Sequence, residues 1–220
     1  MQDTVGGSMG IMGAPPGPRT RLWVVAAFAA ALVVALGAFL VKGTGESGVG
    51  VGLRLTARVA YLFFWPAYVG GAAAALFGPL FNVVAQRTRE LGLAFASALL
   101  VHVGLVIWAA LISPPQPLAD KVMPFFAIGV IWVYLLAGTS THYVQTRLDP
   151  SFLRAFRTVG VEYIALTFFT DFVILADHPL KYPALYIPFW AMLVLGPLLR
   201  LGATCSNYIR LDRAPGFSKT

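Results

Sequence analysis

The chain has 220 residues, 58% of them hydrophobic and 11% charged, with a mean hydropathy of +0.77. That balance lies far from a soluble domain's and places the chain among integral membrane proteins, with the lipid bilayer as its first partner. The formal net charge of +7 falls in short segments between apolar runs. No basic face with interleaved aromatics accompanies it, so the sequence gives no reason to expect nucleic acid as a partner.

Residues 1–20 are rich in Gly, Pro and Met and read as a disordered N-terminal tail. Arg19 and Arg21 lead into the apolar run 22–41. That run exceeds the roughly 7–15 residues of a signal peptide's apolar core, so a first transmembrane helix is expected there. Residues 43–52 read as a glycine-rich loop. Gly43, Gly45 and Gly48 satisfy GxGxxG, but a membrane helix precedes them where a dinucleotide site needs a strand. A second span is expected over 55–77 with Pro66 inside it, and a third over 91–112, closed by Pro114 and Pro115. The fourth covers 125–140. The segment 142–157 reads as a loop, with Asp149-Pro150 breaking any continuous helix. A fifth span over 158–176 and a sixth over 184–203, with Pro188 and Pro197 inside, complete the set.

The expected fold is therefore an all-α membrane protein, a six-transmembrane-helix bundle over 21–204 followed by a cytoplasmic C-terminal tail at 205–220. Six spans put both termini on one side. That side holds Arg19, Arg21, Arg87, Arg89, Arg147, Arg154, Arg157, Arg210, Arg213 and Lys219. The other holds Lys42, Arg54, Arg58, Lys121 and Lys181. The excess places both termini in the cytoplasm of a multi-pass protein.

Three features carry chemistry. His102 lies near the middle of the third span, where an imidazole needs a partner, and Ala94 and Ala98 precede it at i+4 steps, so its face can admit a helix or a flat ligand. His142 and His178 fall at opposite ends of the bundle, and neither is an evident partner. Glu162 and Asp171, nine residues apart, stand on opposite faces of one straight helix. Interhelical hydrogen bonding is expected of Glu162 and an interfacial position of Asp171, with a proton path through both as the alternative. Cys205 is the only cysteine and reads as a plain thiol, with no disulfide or CxxC site available. Trp23, Trp108 and Trp190 fit interface or packing positions.

Gly52-Leu-Arg-Leu, Arg89-x-Leu91-Gly92-Leu93-x-Phe95 with His102 thirteen residues after the arginine, and Leu136-Ala-Gly-Thr139-Ser140-Thr141 followed by Arg147-Leu148, Phe152 and Arg154 come in that order. Over about residues 50–175 this resembles the ferric reductase-like transmembrane domain family, and within it the haem-binding membrane subunit serving periplasmic methionine-sulfoxide reductase. The resemblance implies a bacterial inner-membrane protein that passes electrons through b-type haem from the cytoplasmic side or the quinol pool to an outer-face acceptor. His102 would be a haem-iron ligand. The family's fifth span carries two haem histidines, and the matching positions here are Phe156 and Phe169, which have no lone pair for iron.

The first reading is thus an oxidoreductase membrane subunit, not catalytic alone, with haem on His102 and a reductase partner, because the chain has no nucleotide domain. Whether a flavin or a quinone feeds it is open. The alternative is a haem-free scaffold or accessory subunit of a larger membrane complex. A small transporter using Glu162 is a third possibility, without the inverted repeats that would point to it.

Overall fold

The computed structural model describes residues 17–112, 117–140, 142–174 and 183–212. Of the tail expected at 1–20, residues 1–16 lie outside the described residues, as do His178 and the segment 213–220, while 18–20 are not tail but the first turn of a helix. The described chain is all helix: α1 Pro18–Lys42, α2 Glu46–Phe77, a 3₁₀ turn Gly78–Phe81, α3 Asn82–Gln86, α4 Thr88–Ile112, α5 Pro117–Gly138, α6 His142–Arg147, α7 Pro150–Phe169 with a π-helical turn Thr170–Ile174, and α8 Pro183–Asp212. Four stretches are long and apolar enough to cross a membrane, Pro18–Lys42, Glu46–Gln86, Thr88–Ile112 and Tyr186–Tyr208. Val122–Gly138 forms a shorter apolar helix. The protein is therefore an all-α, multi-pass integral membrane protein.

Side-chain size is sorted across these helices. α1 buries Ala27, Ala31, Ala35 and Ala38 and turns Leu22, Val33, Leu40 and Val41 outward. α4 buries Ala94 and Ala98. Small inward faces let backbones approach closely where no hydrophobic force acts between helices in lipid, while the large side chains meet acyl chains. α1, α2 and α4 form the tightly packed part of the bundle, α8 lies along α2, and α5 pairs with α7.

Two contacts of helices with aromatic rings need glycine. A Cβ at Gly160 of α7 would stand 2.6 Å from Trp132 Cε3 of α5, and one at Gly196 of α8 would stand 2.8 Å from Tyr68 Cε1 of α2. Aromatic rings occupy the space that a side chain would take.

Several boundaries differ from expectation. The glycine-rich loop is short, because α2 begins at Glu46. Gly43 (φ 77°) caps α1 by donating its N–H to the Phe39 carbonyl, and the chain folds back so tightly that a Cβ on Gly48 would overlap the Gly43 carbonyl. Glu46 sits in the first turn of α2, where its charge suits the helix N-terminus. The segment 142–157 is largely helical. Asp149 does break the chain, yet it also starts α7: its carboxylate accepts from the backbone N–H groups of Ser151 and Phe152 and from the Ser151 hydroxyl, with Pro150 at the first helical position. These bonds hold the Asp149 carboxyl below its usual range, the Ser151 hydroxyl foremost. α8 continues past 203 to Asp212.

Candidate functional site

The early start of α7 moves Glu162 from the first turns of a span to the middle of a long helix. There it meets two partners. Arg200 Nε donates to Glu162 Oε1 at 2.8 Å, and the Tyr68 hydroxyl donates to Glu162 Oε2 at 2.9 Å. Arg200 Nη1 also donates to the Tyr68 carbonyl at 3.2 Å, and its guanidinium lies 4.7 Å from the centre of the Tyr68 ring. One carboxylate thus ties α2, α7 and α8 together, the interhelical hydrogen bonding expected of it. Both charges remain part-exposed, with side-chain exposures of 30% for Arg200 and 47% for Glu162.

They are exposed because they line a groove of about 510 Å³. Helical spacing builds its walls. Pro197, Arg200, Thr204 and Asn207 recur on one face of α8, Thr158 and Glu162 on one face of α7, and Gly71, Ala72 and Ala75 leave room on α2. A second cavity of about 280 Å³ shares Tyr68, Glu162 and Pro197 with the first. Its remaining walls are apolar, among them Phe64, Leu166, Phe169 and Leu193. The combined space is polar at one end and greasy at the other, within the size range of small-molecule sites.

Arg200 had no place in the sequence reading, although the signal was present: an arginine between Leu199 and Leu201 in the sixth apolar run. Tyr68 gave no signal, since tyrosines are common in such helices.

His102 belongs to a different place. Thr56 Oγ1 lies 3.0 Å from His102 Nδ1 and 2.8 Å from the Gly52 carbonyl. With the threonine proton on that carbonyl, its lone pairs accept from Nδ1–H, and Nε2 keeps its own lone pair. The imidazole therefore joins α4 to α2. Nearby Arg58, expected in an outer loop, is instead buried within α2, its guanidinium 4.9 Å from the Tyr186 ring centre and 5.6 Å from those of Phe172 and Phe189. Asp171, in the π-helical turn, lies within electrostatic reach of Arg58.

A b-type haem held between α4 and α7 fits these residues poorly. His102 supplies one imidazole; the side chains of His142 and His178 lie outside the described residues. Phe156 packs against Trp132 at 4.8 Å, and Phe169 lines the apolar cavity. Between the two helices the ring centroids of Phe95 and Phe168 lie 5.9 Å apart, with that of Phe64 at 5.2 Å from Phe95 and 5.4 Å from Phe168. The backbone of His142 lies in α6, away from α4 in sequence and at the start of a separate helix. No group of three or more His, Cys, Asp or Glu side chains that could hold a metal ion occurs among the described residues.

Comparison of the chain with family models, curated proteins and solved structures finds no match.

Proposed function

We propose that this chain is a ferric reductase-like membrane protein of the bacterial inner membrane, with six spans and both termini in the cytoplasm, that serves as a haem-free accessory subunit of a larger membrane complex. The observation that carries the haem-free part is the direct packing of Phe95 on Phe168 between the two helices that would flank a haem. Rings with centroids 5.9 Å apart in that position favour the haem-free reading, because they occupy space that a macrocycle would take. The motif order from Gly52 to Arg154 supports the family, and the excess of arginine in the 2–3 and 4–5 connections supports the orientation.

A second reading, a transmembrane electron carrier with haem on His102, is favoured by one observation. Thr56 lies 3.0 Å from Nδ1, and in the tautomer with the proton on Nδ1 the Nε2 lone pair is the one suited to iron. An absorption spectrum separates the two. Protein expressed with ample haem and purified in detergent is expected to show no Soret band, oxidised or dithionite-reduced. A band that shifts on reduction and disappears in His102→Ala would overturn the haem-free reading in favour of the electron carrier.

A further inference from the structure

We infer that the groove between α2, α7 and α8 is a binding site for an anionic phospholipid of the cytoplasmic leaflet. Its leaflet rests on the orientation proposed above; the site itself does not.

Three observations converge on it. First, the donors are unevenly spent. Arg200 commits Nε and one Nη1 bond within the protein, while Nη2 has no partner among the described residues. Asn207, two turns along the same face of α8, is exposed and likewise makes no side-chain hydrogen bond among the described residues. Both donors suit ester and phosphate oxygens, which accept and cannot donate. Second, the charge is complementary to an anion. Glu162 neutralises Arg200, so the balance near the mouth is set by exposed Arg154, which lies outside the groove's lining, one turn beyond Thr158 on the same face of α7 and about 12 Å of helical rise from Glu162. Asp149 interacts with Arg154 from one turn before it, but its carboxylate already accepts from the start of α7. Third, the space has the shape of an amphiphile. From the mouth the groove runs over the small side chains of Gly71, Ala72 and Ala75 into the apolar cavity lined by Phe64 and Leu193. The phosphate sits between Arg154 and Asn207, the esters face Arg200, and one acyl chain continues inward.

Native mass spectrometry of the full chain in mild detergent, exchanged against phosphatidylglycerol or phosphatidylethanolamine, tests this. One phosphatidylglycerol is expected to be retained, preferred about fivefold, as befits roughly 1 kcal/mol for one basic residue near the surface. Arg154→Gln should bring the two lipids to parity. Ala75→Phe, which places a ring on the floor of the groove, should abolish retention while leaving elution volume and melting temperature unchanged. Equal retention of the two lipids by the unaltered chain would overturn the inference, as would wild-type retention in Ala75→Phe. Retention in detergent is independent of orientation, so failure of the leaflet assignment is read separately, by cysteine labelling.

Discussion

Glu162, Arg200 and Tyr68 form a closed set in which each member satisfies another. Removing one charge strands the other at membrane depth. Loss of a half-exposed pair falls between the roughly 1 kcal/mol of a surface salt bridge and the roughly 3–5 kcal/mol lost when a buried pair is broken. Glu162→Gln and Arg200→Gln are each expected to lower the melting temperature in detergent. The double substitution should be less destabilising than the sum of the two, because two neutral amides can hydrogen-bond to one another. A coupling energy near zero in that cycle would mean that the two side chains do not act on each other. His102 is a different kind of residue. Its hydrogen bond to Thr56 gives it a packing role whether or not it has another.

At the scale of elements, the α5–α7 pair depends on absent side chains. Gly160 admits Trp132, and Gly129 admits Thr167, whose Cγ2 would stand 2.8 Å from an added Cβ. Gly160→Leu should destabilise the protein by about 1–3 kcal/mol, the usual result of overpacking a close contact. A thermal scan checks this, with Gly92→Leu as the control, since a Cβ at Gly92 meets nothing within 4 Å. Equal losses at the two positions would indicate helix propensity and not the contact. The π-helical turn after Phe169 belongs to this scale as well. It widens the helix where Asp171 comes within reach of Arg58, so the two acidic residues of α7 do not keep the straight-helix relation that their spacing suggests.

For the whole molecule, the proposed six-span topology makes a prediction that is independent of any ligand. In a Cys205→Ser background, Leu148→Cys should react with a membrane-impermeant maleimide only in inverted vesicles, and Thr44→Cys only in right-side-out ones. Labelling of both from one side would refute the alternating arrangement of spans.

Much of this architecture was legible in the chain. Apolar runs of bilayer length announce helices because an unsatisfied backbone cannot sit in hydrocarbon, and that rule holds without reference to neighbours. Alanines at i+4 steps in α4 announced an inward face for a similar local reason. Helix ends were less readable. Glu46–Gly52 is glycine-rich yet helical, because the requirement for Gly48 comes from the carbonyl of Gly43 after the chain has turned.

The sequence by itself determined the solvent, the helical class and the presence of ionisable groups within the apolar runs. Tertiary structure alone decided which of them meet. It paired Glu162 with an arginine 38 positions away and a tyrosine 94 positions away, gave His102 a threonine in place of a second histidine, and set Phe95 against Phe168. Partner choice depends on how helices rotate and cross, and these are fixed by small-residue contacts between segments far apart in the chain, which no local pattern encodes.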